Sequence, residues 1–85
     1  SLLEAMSMER IVIGSNKPGI KNVISDNHDG FIFKEYNSNS LYQSLLKIYS
    51  LKDDEIKNIT SNARLNIKNN YRYELVNSVY KKLLI

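Results

Sequence analysis

Ser1 to Gly19 reads SLLEAMSMER, then IVIGS, then NKPG, and the reading of this stretch decides the fold. Ser1 and Glu4 stand at capping-box spacing, so Ser1 is expected to cap the first turn and Glu4 to reach back to it. Leu2, Leu3 and Met6 give an apolar face, which predicts a short helix over residues 2 to about 8. Glu9 and Arg10 make a polar connection. Ile11-Val12-Ile13 is a continuous β-branched run, the pattern of a strand covered on both faces in a parallel sheet. Gly14 to Gly19 breaks the run with turn residues. Pro18, the only proline, has no N–H for a ladder, so the strand should end by about Ser15.

Working outward, Ile20, Val23 and Ile24 recur at helical spacing and predict one or two helical turns that stop before Asp26. Asp26 to Gly30 is a turn cluster, and Phe31-Ile32-Phe33 a second short strand ended by Lys34 and Glu35. A helix is expected from Ser38 or Asn39, with Leu41, Leu45 and Ile48 as its stripe, widened by Leu46 and Tyr49. Asp53 is the expected N-cap of the next helix, which carries Ile56, Ile59, Ala63 and Ile67 on one side and ends at Asn69-Asn70. A last helix from Arg72 or Tyr73 should turn Val76, Val79, Tyr80 and Leu83 inward.

Strands separated by helices argue for parallel pairing and an α/β fold of short parallel strands flanked by helices. Two strands do not make a self-sufficient sheet of this kind, so the chain reads as a fragment of a larger domain. The 85 residues suffice for one small domain, with 42% hydrophobic and 25% charged residues as in ordinary soluble proteins. Without cysteine there is no disulfide or thiolate metal site, and no apolar run reaches the ~18 residues of a membrane span. A cytoplasmic protein is expected. The net charge of +3 is spread along the chain, with acidic residues between most of the lysines, so it marks a solvated surface rather than a nucleic-acid stripe.

Four segments together carry a resemblance: Ser1-Leu2-Leu3-Glu4-Ala5-Met6, Ile11-Val12-Ile13-Gly14-Ser15, Gly19-Ile20-Lys21-Asn22-Val23-Ile24 and Asp29-Gly30-Phe31-Ile32-Phe33. They resemble the end of the group 1 glycosyltransferases, the retaining, GT-B-fold enzymes of family 4 that use nucleotide-sugar donors. The resemblance covers the chain, resting after about residue 50 on helical pattern alone, with Tyr73 where the family commonly starts its last helix with Ser-Trp or similar. It implies a fragment of a Rossmann-like C-terminal domain spanning residues 1–85, and a parent that moves a hexosyl group from a nucleotide-diphosphate donor to a glycan or lipid-linked acceptor, as in polysaccharide biosynthesis. The acceptor would be held by the N-terminal domain, at or near a membrane surface.

Glu4 matches the second of the family's two glutamates separated by seven residues, which the resemblance implies binds the donor ribose. The first would precede Ser1. The amide of Ser1 matches one near the donor diphosphate. General chemistry agrees: a helix N-terminus suits an anion without a metal, and a carboxylate can accept both hydroxyl protons of a diol. On the residues alone, Glu4 is a capping-box glutamate. The chain departs from the family pattern at Pro18, where glycine is usual, at Lys21, where proline is usual, and at Asn22, where glutamate is usual; this loop is expected to be a turn, with Lys17 at the sheet end where ligands of open α/β sheets bind.

No residue is assigned as nucleophile or general base, no cofactor or metal is expected, and catalysis would come from positioning and from stabilising the departing diphosphate. His28 reads as a solvated turn residue. Asp53-Asp54-Glu55 reads as acidic enrichment at a helix start, and Asn58-Ile59-Thr60 as a chance glycosylation sequon. Most of the tyrosines are expected to be half-buried packing. Two other readings stay open: another GT-B-fold enzyme such as a nucleotide-sugar epimerase, and a non-catalytic module whose helices after residue 38 form a docking surface.

Overall fold

The computed structural model describes residues 2–83. In chain order it holds α1 (Leu2–Ser7), β1 (Ile13–Ser15), α2 (Pro18–Lys21), β2 (Phe31–Phe33), α3 (Ser38–Tyr49), α4 (Asp53–Asn70) and α5 (Arg72–Leu83). β1 and β2 pair in parallel, with Ile13 opposite Phe31, Gly14 opposite Ile32 and Ser15 opposite Phe33. The architecture is therefore α/β, short parallel strands flanked by helices. Ser1, with its expected capping role, lies outside the described residues.

α1 forms where its apolar spacing predicts. It ends in a Schellman motif: Arg10 N–H donates to the Ala5 carbonyl at 3.2 Å and Glu9 N–H to the Met6 carbonyl at 3.3 Å. The motif needs a left-handed residue, and Glu9 takes that place with φ of 56°.

β1 lies two residues downstream of the expected strand. Ile11 and Val12 precede the ladder, although the Val12 carbonyl still accepts from Phe31 N–H at 3.0 Å. Val12 is buried in the core instead. Gly14 belongs to the ladder rather than to the turn, because Ile20 crosses close above it: a Cβ there would stand 2.6 Å from Ile20 Cγ2. All three β1 residues are half-buried, not covered on both faces, since each strand has a single neighbour among the described residues.

Pro18 opens α2 as its first residue, where the fixed φ fits a helix and the missing N–H is not needed. The expected turn is thus a helix start. Val23 and Ile24 follow the single turn of α2, and Ile24 still reaches the core.

α3 is capped by Asn37, whose side-chain oxygen accepts from Ser40 N–H at 2.9 Å. The cap of α4 lies one position before the expected one. Lys52 is its N-cap and Asp53 its first helical residue; the Glu55 carboxylate accepts from Lys52 N–H at 2.9 Å. Three acidic residues then sit in the first turn, where the helix dipole favours them.

Met6, Val12, Ile24, Ala63 and Ile67 form the buried core cluster, so α4 covers α1 and the segments flanking the strands. Met6 and Ile67 are fully buried, each stabilising the fold by ~1.5–3 kcal/mol. Ala63 is also at 0% exposure, and a larger side chain there would collide with its neighbours in the cluster.

α5 packs the opposite way from expectation. Val76, Val79, Tyr80 and Leu83 are exposed, while Leu75 and Ser78 face the body. The apolar stripe exists in the sequence, but Leu75 seats on the core beside Tyr71 and turns the stripe outward. The tyrosines also differ from expectation: Tyr36, Tyr42, Tyr49, Tyr73 and Tyr80 are exposed, and Tyr71 alone is half-buried. Tyr71 has a role at the α4–α5 junction, its hydroxyl donating to the Asn22 carbonyl at 3.1 Å. Thr60 of the sequon is buried within α4, its hydroxyl donating back to the Ile56 carbonyl at 2.9 Å.

Candidate functional site

Glu4 lies in the first turn of α1. Its neighbours Leu2, Leu3, Ala5 and Met6 are apolar and packed in or against the core, which fixes the helix and hence the root of the Glu4 side chain. The side chain retains only 13% exposure because α5 crosses beside it. Lys82 Nζ donates to Glu4 Oε2 at 2.6 Å, and Ser78 Oγ to Oε1 at 3.3 Å. Ser78 and Lys82 are one helical turn apart, so a single face of α5 presents both donors. The hydrogen bond from Lys82 holds the Glu4 carboxyl below its ordinary value of 4.5, against the opposing effect of burial. The result is an ionised carboxylate with both oxygens engaged by α5 and capacity for about four accepted hydrogen bonds in all.

Sequence reasoning singled out Glu4 as a candidate and named neither Lys82 nor Ser78 beside it. Lys82 stands 78 residues away and Ser78 stands 74 away, and no local spacing signals such a contact. The single available hint was their own separation, which places a hydroxyl and an ammonium on one helix face.

A second polar cluster sits at the carboxyl ends of the two strands. Asn16 Oδ1 accepts from Glu35 N–H at 2.9 Å, tying the loop after β1 to the loop after β2. Lys17, the N-cap of α2, is exposed and lies 3.7 Å from the Glu35 carboxylate. The structure thus gives Lys17 a partner of its own.

Asp29 is a structural residue that turn chemistry alone did not single out. It is buried, and accepts from Ser25 N–H at 2.7 Å and from the Asn66 side chain at 3.1 Å. His28 beside it is exposed, as expected of a solvated turn residue. Among the described residues no group of three or more His, Cys, Asp or Glu side chains could hold a metal ion, and no helix is long and apolar enough to cross a membrane. An open groove of about 530 Å³ between β2, α3 and α4 is lined by Phe31, Leu46, Leu51 and Ile59 with Lys47 and Glu55; Glu4 does not border it.

Comparison with known proteins bears on the segment that carries Glu4. The profile of the family described as glycosyl transferases group 1 matches residues 1–66. Among solved structures, the chain is similar to a glycosyltransferase from Rickettsia africae ESF-5, with 30% identity and a TM-score of 0.77. That match covers 98% of this chain and 23% of the Rickettsia chain, so the sequence spans about a quarter of the relative's length. Among curated proteins nothing matches. The family profile takes in α1, both strands and most of α4, and the solved relative extends the likeness through α5: the chain belongs to the group 1 glycosyl transferases.

Proposed function

We propose that this chain supplies part of the donor site of a retaining, GT-B-fold glycosyltransferase, in which Glu4 receives the ribose hydroxyls of a nucleoside-diphosphate sugar. The observation that carries the reading is the state of Glu4: an ionised carboxylate, its side chain 13% exposed, in the first turn of α1 and within the segment that matches the family. A charged acceptor held in one orientation suits a vicinal diol, which offers two donors at fixed spacing. The parent protein would move a hexosyl group to a glycan or lipid-linked acceptor bound mainly by its other domain, on the cytoplasmic side of a membrane. The chemistry would rest on positioning and on stabilising the leaving diphosphate, with no metal held by this segment.

The test is calorimetric titration of the full-length protein with UDP, GDP and ADP, alongside Glu4→Gln. The expected result is binding of one diphosphate, weakened in Glu4→Gln by ~1.5–3 kcal/mol, as for a hydrogen bond to a charged group. A folded full-length protein that binds none of the three overturns the reading. Residues 1–85 alone are expected to show no sugar transfer, because the acceptor side of the site is not in this segment.

A further inference from the structure

The contact between the two ends of the chain goes beyond the ribose contact itself. Lys82 reaches Glu4 Oε2 at 2.6 Å and Ser78 reaches Oε1 at 3.3 Å, so the two donors of α5 take opposite oxygens of one carboxylate. We propose that Lys82 and Ser78 are positioning residues of the donor site, setting the rotation of the Glu4 carboxylate so that it meets the ribose diol in one orientation. This inference rests on the reading of Glu4 given under Proposed function.

The physical case has three parts. First, a glutamate side chain has several rotatable bonds, and ordering it costs up to ~1.5–2 kcal/mol if done only when ligand arrives. Donors on both oxygens remove that freedom beforehand, which is how preorganisation raises affinity. Second, the two donors differ in kind. The Lys82 side chain is 65% exposed and carries an ammonium with three N–H donors, so its bond to Glu4 leaves others directed elsewhere. The Ser78 hydroxyl is a part-buried contact at the root of the same helix face. Third, α5 is anchored independently of the pair: Leu75 packs against the core, and the Tyr71 hydroxyl at the head of the helix donates to the Asn22 carbonyl at 3.1 Å. The helix therefore brings a fixed frame to Glu4, and the orientation of the carboxylate follows from that frame.

α5 is thereby part of the donor site without touching the donor. The family profile stops at residue 66, so Ser78 and Lys82 lie in a part of the chain that it does not describe.

The experiment uses the full-length protein and whichever of UDP, GDP and ADP binds it. Affinities are compared for the unaltered protein, Lys82→Ala, Lys82→Arg, Ser78→Ala, Glu4→Gln and the pair Lys82→Ala with Glu4→Gln. Lys82→Ala is expected to weaken binding about tenfold, the scale of one charge-assisted hydrogen bond. Ser78→Ala is expected to weaken it less. Lys82→Arg, which keeps charge and donors, should restore most of the loss. The decisive readout is the double variant, which should bind no more weakly than Glu4→Gln alone, since Lys82 acts only through that carboxylate. A merely structural lysine would give independent, multiplying losses, and that result overturns the proposal. Unchanged binding in Lys82→Ala together with a loss in Glu4→Gln also overturns it while leaving the donor site intact. No loss in Glu4→Gln removes the donor site, and the positioning role falls with it.

Discussion

The Asn66 side chain bridges the polypeptide on both sides of the turn before β2: its amide nitrogen donates to the Val23 carbonyl at 2.9 Å and to the Asp29 carboxylate at 3.1 Å. Its oxygen accepts from Asn70 at 2.8 Å. One residue of α4 thereby fixes the end of the α2 segment and the entry to β2. Both Asn66→Ala and Asp29→Ala should destabilise the chain by about 1–3 kcal/mol, because each leaves polar partners unpaired in a shielded place. Urea unfolding of the two single variants and the double variant checks this. Losses that simply add would show that the two side chains do not act as a unit.

The three glycines should respond differently to alanine. At Gly30 a Cβ would lie 2.8 Å from Val12 Cγ2, 3.0 Å from Ile24 Cγ2 and 3.3 Å from the Val12 carbonyl oxygen. Gly30→Ala is expected to cost about 1–3 kcal/mol through overpacking, with Gly14→Ala similar because of Ile20. Nothing lies within 4 Å of a Cβ on Gly19, and its φ is not positive. Gly19→Ala should be neutral or stabilising by ~0.4–1 kcal/mol, through the unfolded chain. Thermal melting of the three variants separates them.

Glu9 sets two magnitudes against each other. Its left-handed backbone costs a non-glycine residue roughly 1–2 kcal/mol. Its carboxylate pairs with Arg64 at 2.9 Å, an exposed contact of the kind that contributes only ~0.2–1 kcal/mol. The backbone effect is the larger, so Glu9→Gly should raise stability by up to about 1 kcal/mol. A lower unfolding midpoint would show that the ion pair prevails.

Acid should weaken the α1–α5 contact in a definite direction. The folded-state pKa of Glu4 lies below 4.5, chiefly through the Lys82 hydrogen bond. A depressed carboxyl stabilises the fold above its ordinary pKa, and that contribution is lost as pH falls through the folded value. Wild type should therefore be more stable than Glu4→Gln at neutral pH, and the gap should close in acid below pH 4.5. Unfolding midpoints at neutral pH and near pH 3 test it; a gap that is the same at both would rule the linkage out.

How far the sequence could be read depended on the range of the forces involved. β2, the start of α3 and the buried side of α4 follow from local pattern, and Phe31, Ile59, Ala63 and Ile67 behave as their spacing suggests. Periodicity failed for α5, because an apolar stripe states what a helix could bury and not what is there to cover it. Leu75 found the core and Val79 did not. Val79→Lys should consequently change stability by no more than about 0.5 kcal/mol, as at an ordinary surface site. Leu75→Ala should cost about 1–2 kcal/mol, short of the loss for a fully buried leucine. Of the candidate site, Glu4 was visible through family resemblance, whereas Ser78 and Lys82 were not, because their link to Glu4 exists only once the chain has closed on itself.

That closure sets a timetable for synthesis. Met6 emerges before its core partners Ala63 and Ile67, which belong to α4, and Lys82 follows later still. At ~5–20 residues per second, about 60 residues of delay leave the apolar side of α1 uncovered for ~3–12 s. Throughout that interval the nascent segment is a target for chaperones and for neighbouring chains. Slowing translation through the codons of α3 and α4 should lengthen the exposure and lower the soluble yield.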